Sequence, residues 1–322
     1  MSLSIEQSYT VCRKIARSEA KNFYYAFLVL PRHKRSAMCA MYAFMRHADD
    51  LADDESIPLE ERRQRAAAWL EEWHRVAAGA ATENPVFLAV RDVQQRFAIS
   101  NELLDQLVQG TMMDLMPQPE NGRGVGAELP QETEDAPSGH PLHVYRTFDD
   151  LYRYCYYVAS VVGLVCIRIF GYQDARAEKL AEETGIAFQL TNILRDVRED
   201  AERGRVYLPL EDLRRYGLTA EEVAAMRGDA PMSLAAHSLL EMEAQRARNY
   251  YAAAEALLPM ISPDSRPALW VLVAVYRRLL EHITARRYQV FSGKIKVPTH
   301  EKIAILLRGL WMVLRARLLP RA

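Results

Sequence analysis

Apolar residues recur at three- and four-residue spacing along nearly the whole chain, the pattern of helices that bury one face. This spacing predicts helices over 5–29, 33–54, 59–78, 85–97, 101–116, 148–170, 174–200, 219–227, 231–257, 264–291 and 299–319. Start signals support several of them. Pro58 precedes the third and Ser100-Asn101 the fifth, and Thr219 with Glu222 three residues on reads as a capping box. No stretch alternates with period two for long enough to predict a sheet, and no internal repeat is visible. The expectation is an all-α fold, with residues 1–322 forming one helical domain.

Two segments depart from the pattern. Residues 117–141 contain five of the 15 prolines and four of the 14 glycines, and five acidic residues against one arginine. That composition reads as a mobile acidic loop. Its Gly122, Gly124 and Gly126 imitate part of a dinucleotide fingerprint, but no strand precedes them and no helix follows. The tail from Ile303 to Ala322 is apolar and carries Arg308, Arg315, Arg317 and Arg321. Two readings stay open: a basic helix that touches a membrane surface, or a packed C-terminal helix with solvated arginines.

Composition narrows the class further. The chain is 50% hydrophobic with 41 Lys+Arg against 42 Asp+Glu, which excludes both a disordered acidic chain and a basic nucleic-acid binder. Cys12, Cys39, Cys155 and Cys166 lie far apart with no C-x-x-C pair, so neither a zinc site nor a disulfide framework is expected. The N-terminus lacks an apolar signal region, and no uncharged apolar run reaches about 18 residues. The expected location is cytoplasmic, or peripheral at the inner face of a membrane through the C-terminal helix. Oligomeric state is left open.

Two acidic clusters carry the candidate chemistry. The first, Asp49-Asp50-Leu51-Ala52-Asp53-Asp54, ends a strongly apolar helix, and Asp49 and Asp53 share a face. Like charges at that spacing repel by a few tenths of a kcal/mol per pair, so a compensating cation is expected. The second runs from Gln189 to Asp200. At about 100° per residue, Gln189, Asn192, Asp196 and Asp200 fall within an arc of about 80°. Oxygen-only donors of this kind suit Mg²⁺, which takes one or two carboxylates and completes its shell with water and phosphate oxygens. Either cluster alone reads as a solvated helix end. Two D-x-x-x-D pairs on separate helices instead suggest a clamp for a diphosphate, with Arg46, Arg195 and the Arg203-Gly204-Arg205 turn as the cations.

These residues resemble the squalene/phytoene synthases, head-to-head prenyl diphosphate synthases of the class I isoprenoid fold. The resemblance runs from about Ser18 to Lys302, interrupted mainly at 117–141. It is carried by Asn22-Phe23-Tyr24, Tyr42-Ala43-Phe44-Met45-Arg46 leading into Asp49-Asp50-Leu51-Ala52-Asp53, Gly110 with Asp114, and Tyr154-Cys155-Tyr156-Tyr157-Val158-Ala159. The most specific match is Gln189-Leu190-Thr191-Asn192-Ile193-Leu194-Arg195-Asp196, followed by Arg203-Gly204-Arg205-Val206-Tyr207-Leu208-Pro209.

The resemblance implies a helical bundle around a central cavity. It implies Mg²⁺ at Asp49, Asp53, Asp196 and Asp200, and substrate diphosphates at Arg46, Arg195, Arg205, Asn22 and Tyr207. Catalytic roles would fall to Arg46, Tyr276, Asn192 and Gln189. Two prenyl diphosphates would join 1′–1 through a cyclopropylcarbinyl diphosphate. The expected substrate is farnesyl diphosphate, with NADPH needed where squalene is the final product; the alternative is phytoene from two geranylgeranyl diphosphates. A class I terpene cyclase or head-to-tail elongase matches the aspartates but not the stripe followed by RGRVYLP. A non-catalytic helical assembly factor would be expected to have lost the aspartates. The chain departs from the family at Ala20-Lys21-Asn22-Phe23, where relatives carry a serine-rich start, and in its longer 117–141 segment. Lys294 and Lys296 are candidates for the family's C-terminal diphosphate contacts.

Overall fold

The computed structural model describes residues 3–54, 56–113, 142–228 and 231–318, apart from the side chains of Lys21, Asn22, Ala52, Asp53 and Arg317. The predicted loop at 117–141 lies outside the described residues. Fourteen α-helices are present among the described residues: α1 (Ile5–Glu19), α2 (Lys21–Leu28), α3 (Arg32–Asp53), α4 (Leu59–Ala77), α5 (Pro85–Phe97), α6 (Asn101–Met112), α7 (Phe148–Cys155), α8 (Val161–Phe170), α9 (Arg176–Glu202), α10 (Leu210–Arg215), α11 (Ala220–Ala225), α12 (Leu234–Leu257), α13 (Arg266–Ala285) and α14 (Thr299–Leu318).

The start signals act as their chemistry dictates. Thr219 accepts from the Glu222 N–H while the Glu222 carboxylate accepts from the Thr219 N–H, closing the capping box. Ser100 caps α6 through the Leu103 N–H. Around these helices the core is aromatic at one end. Phe44 of α3 meets Trp69 and Trp73 of α4 at ring-centroid distances of 4.6 and 5.3 Å, and Phe87 of α5 at 6.3 Å.

Four departures from the pattern have physical causes. The helix predicted over 5–29 breaks at Ala20, because α1 packs against α3 and α5 whereas α2 packs against α13. One straight rod cannot reach both. The helix predicted over 264–291 stops at Ala285, and the following Arg287 and Tyr288 adopt left-handed φ of 50° and 58°. The helix over 148–170 keeps its course but contains a π-helical turn at Tyr156–Ser160. Finally, a two-stranded parallel pair, β1 (His143–Val144) with β2 (Arg205–Val206), has too few residues to show a period.

The π turn is held by close approach on two sides. A Cβ on Gly110 of α6 would lie 2.4 Å from the Tyr157 carbonyl oxygen, and one on Gly185 of α9 would lie 2.6 Å from the Ser160 Cα. Only glycine lets both helices come this near. Ser160 Oγ donates to the Glu182 carbonyl at 2.6 Å, fastening the turn to α9. The stretch Phe148–Phe170 is long and apolar enough to cross a membrane by composition, yet here it packs against α9 as a core element.

Candidate active site

Helices α3 and α9 both run out in acidic residues, where the helix dipole is negative and each added carboxylate is unfavourable. The fold brings these two ends to one opening. A polar cavity of about 280 Å³ is lined by Asp49 from α3, by Gln189, Asn192, Asp196 and Asp200 from α9, and by Arg203, Arg205 and Tyr207 beyond it. The predicted stripe therefore faces the first aspartate cluster. The Asp53 side chain lies outside the described residues.

An apolar cavity of about 390 Å³ continues inward and shares Met45, Asp49, Val158, Val162, Gln189 and Asn192 with the polar one. Its inner walls are Phe23, Phe188 and Tyr276, and its floor is formed by Ile167, Phe170, Leu257, Leu269 and Leu272. The floor is pinned from behind. Buried Lys34 donates to the Phe170 carbonyl at 2.7 Å, to Asp264 at 2.8 Å and to Ser265 Oγ at 2.9 Å. Gly171, at φ 81°, turns the chain directly after Phe170.

The cations are placed unequally. Arg195 forms a two-armed pair with its neighbour Asp196, with Nε 2.8 Å from Oδ1 and Nη2 on Oδ2. Lys294, from the segment after α13, approaches Asp196 Oδ1 to 3.0 Å and pairs with Glu199 as well. Burial alone would raise the Asp196 carboxyl, but Arg195 and Lys294 outweigh it and hold the group below the usual carboxylate range. Arg46 pairs with Asp50 at 2.5 Å; its Nε is buried without a partner, and it is absent from the walls of both cavities. The side chain of Asn22 lies outside the described residues.

Arg205 and Tyr207 reach the mouth through the β1–β2 pairing, which begins where Gly204 at φ 73° reverses the chain after α9. Beside them, Tyr154 Oη donates to Tyr207 Oη at 3.1 Å, and the two rings stack at 4.9 Å. His143 lies 3.1 Å from Tyr145 Oη. Burial, aided by Arg205, pushes the His143 imidazole down to about 4, so it is neutral at pH 7.

Tyr276 lines the apolar cavity and stacks on Phe188 at 4.3 Å with planes 10° apart. Burial raises its phenol, against the lowering effects of Arg195 and a hydrogen bond with Asn192. The Asn192 Oδ1 is buried without a partner, while its amide lies 3.4 Å from Gln189 Oε1. A buried carbonyl oxygen left unsatisfied is an acceptor waiting for a donor or a cation. No three of the described His, Cys, Asp and Glu residues converge tightly enough to hold an ion unaided. The oxygen donor set nonetheless fits Mg²⁺, whose shell is ordinarily completed by water and phosphate oxygens.

Sequence reasoning missed Tyr154 and the backbone of the π turn as wall elements, and left Lys294 as one of two unaligned basic residues. The signals for the turn were Gly110, cited only as a motif residue, and Gly185, both of which allow close approach.

Comparison with known proteins agrees with this geometry. The profile of the squalene/phytoene synthase family matches residues 16–301. A phytoene synthase of Arthrospira platensis is 33% identical over 312 residues, covering 93% of this chain and 91% of the relative. A phytoene synthase of Mycobacterium tuberculosis is 33% identical over 303 residues, covering 94% and 90%. Among solved structures, a dehydrosqualene synthase superposes with a TM-score of 0.77 at 28% identity, over 97% of this chain and 98% of that one. The squalene synthase HpnC from Alicyclobacillus acidocaldarius gives 0.73 at 26% identity, over 88% and 95%. With the acidic ends of α3 and α9 opening on one cavity and the profile spanning nearly the whole chain, this all-α prenyltransferase belongs to the squalene/phytoene synthase family.

Proposed function

We propose that the chain joins two farnesyl diphosphates head to head, with Mg²⁺, to give presqualene diphosphate and then squalene. The observation that carries this reading is the junction of the two cavities: a carboxylate- and arginine-lined mouth opens directly onto an apolar chamber through a shared wall of Asp49, Gln189 and Asn192. A molecule anionic at one end and hydrocarbon at the other fits that sequence of environments.

Asp49, Asp196 and Asp200, together with Asp53, would hold Mg²⁺. Bound there, the metal neutralises charge on the departing diphosphate. Arg195, Arg203 and Arg205 supply fixed positive charge around the same oxygens without reorganising during the reaction. Phe23, Phe188 and Tyr276 line the adjoining wall, so the allylic cation left by ionisation faces aromatic rings and little water. C1′ of the first chain would bond to C2 and C3 of the second as one diphosphate and one proton are lost, giving the cyclopropylcarbinyl diphosphate. Departure of the second diphosphate would then drive rearrangement to the 1′–1 bond. Reduction to squalene then requires a hydride from NADPH.

The modest apolar cavity of about 390 Å³, with Phe170 and Leu257 in its lining, supports the shorter C15 chain. The names of the sequence relatives support a second reading, phytoene from two geranylgeranyl diphosphates. Incubation with C15 and with C20 diphosphates, each with and without NADPH, separates the two. Product from the C20 substrate alone would overturn the C15 reading.

A further inference from the structure

Helix α14 is apolar on both sides, which an ordinary surface helix is not. Its inner side is packed. Gly309 lies so close to α13 and α2 that an added Cβ would meet Val271 Cγ2 at 2.5 Å and Val29 Cγ1 at 3.4 Å. Its outer side carries Ile303, Leu307, Leu310, Trp311, Leu314 and Leu318, each between 41 and 69% exposed. At about 100° per residue these six fall within an arc of about 100°. They form one continuous stripe facing away from the protein.

We propose that this stripe is a membrane-docking face, with anionic lipid as its partner. Charge selects that occupant. Residues 302–322 contain five basic residues, Lys302, Arg308, Arg315, Arg317 and Arg321, and no acidic one. Exposed Arg308 and Arg315 border the stripe on the side of Trp311. The single acidic residue of the helix, Glu301, is withdrawn from the surface field by Arg278 at 2.6 Å and His282 at 2.9 Å. Basic flanks beside an apolar stripe with an interfacial tryptophan match a headgroup layer, in which apolar side chains sink and arginines stay among phosphates.

A second copy of the chain is the poorer occupant. A stripe of 16 residues is about 24 Å long and about 10 Å wide. It therefore offers about 240 Å², against the about 800 Å² per partner of a standard interface. Two such faces would also bring like charges together.

Full-length protein is mixed with vesicles of phosphatidylcholine alone, or with added phosphatidylglycerol, and sedimented. Binding is expected with the anionic vesicles and is expected to weaken with salt. Leu307→Glu with Trp311→Glu should lower the partition coefficient about tenfold or more, and Arg315→Glu should lower it on anionic vesicles alone. Brominated lipid in the anionic vesicles should quench the wild-type tryptophan emission more than that of Trp311→Phe, which reports contact even if a charged variant folds poorly. None of these readouts needs a substrate, so they stand apart from the identity of the product. Failure of the wild type to bind anionic vesicles, or unchanged binding by the double variant, overturns the proposal. So does sedimentation velocity showing a dimer that the double variant dissociates.

Discussion

Lys294 Nζ lies 3.0 Å from Asp196 Oδ1, so an ammonium group from the chain after α13 already sits on a carboxylate of the second acidic cluster. An incoming dication must displace it or share the oxygen. Lys294→Met should therefore tighten Mn²⁺ binding to the substrate-free protein by up to about fivefold, read from free Mn²⁺ by electron paramagnetic resonance, because a partly exposed pair of this kind is worth up to about 1 kcal/mol. Unchanged affinity would mean that the ammonium does not compete.

Asp196→Ala removes the carboxylate that both Arg195 and Lys294 hold. The loss should lower Mg²⁺-dependent diphosphate release about a thousandfold or more, equivalent to about 4 kcal/mol of transition-state stabilisation. Helical circular dichroism should be unchanged. Retained turnover would remove Asp196 from the site.

Gly185→Ala places a methyl group 2.6 Å from the Ser160 Cα, which is backbone and cannot swing aside. Overpacking of this sort costs about 1–3 kcal/mol, occasionally more. Thermal unfolding should fall by several degrees, and activity should fall with it because the π turn lines the cavity through Val158 and Ala159. Gly217→Ala is the contrast: its φ is 69° but nothing lies within 4 Å. It should cost about 1 kcal/mol and leave turnover intact.

Glu243 and Asp212 are both buried and share one guanidinium, with Arg246 Nη1 2.7 Å from Glu243 and 2.8 Å from Asp212. Burial pushes the Glu243 carboxyl up to about 7, above its ordinary 4.5, against the lowering effect of Arg246. The fold then holds this proton more tightly than the unfolded chain does. Its contribution to stability is complete below pH 4.5 and is lost as pH rises through about 7, amounting to at most about 3 kcal/mol. Glu243→Gln should flatten the stability profile between about pH 5 and 8, measured by denaturant titration. A wild-type profile already flat in that window would contradict the assignment.

Phe170 lines the apolar cavity and is fixed by Lys34 through its own carbonyl. Phe170→Leu should deepen the floor and raise the ratio of kcat/KM for the C20 over the C15 diphosphate several-fold, since each accommodated methylene is worth roughly 1 kcal/mol. An unchanged ratio would place chain-length selection elsewhere.

The helices were legible because a 3.6-residue period survives over any segment long enough to bury a face, as in α3, α9 and α12. The stripe from Gln189 to Asp200 was legible for the same reason: helical geometry alone puts those four side chains on one side. What periodicity cannot carry is a change of partner along one apolar run. Ala20 has nothing in its own chemistry that ends a helix; the break follows from α1 and α2 packing on different neighbours. The π turn likewise depends on Gly110 and Gly185 arriving from two other helices. The β1–β2 pair joins His143 to Arg205 across 62 positions, with two residues on each side.

By itself, then, the amino-acid order determined which segments are helical and which side chains share a helix face, since both follow from spacing within a few turns. The tertiary structure decided which faces meet. It set Asp49 across one cavity from Asp196 and Asp200, drew Lys294 onto Asp196 while leaving Arg46 with Asp50, and gathered Phe170 with other apolar side chains around the adjoining apolar cavity. Those outcomes rest on long-range packing and on competition between charges brought together only by folding, neither of which has a local period to read.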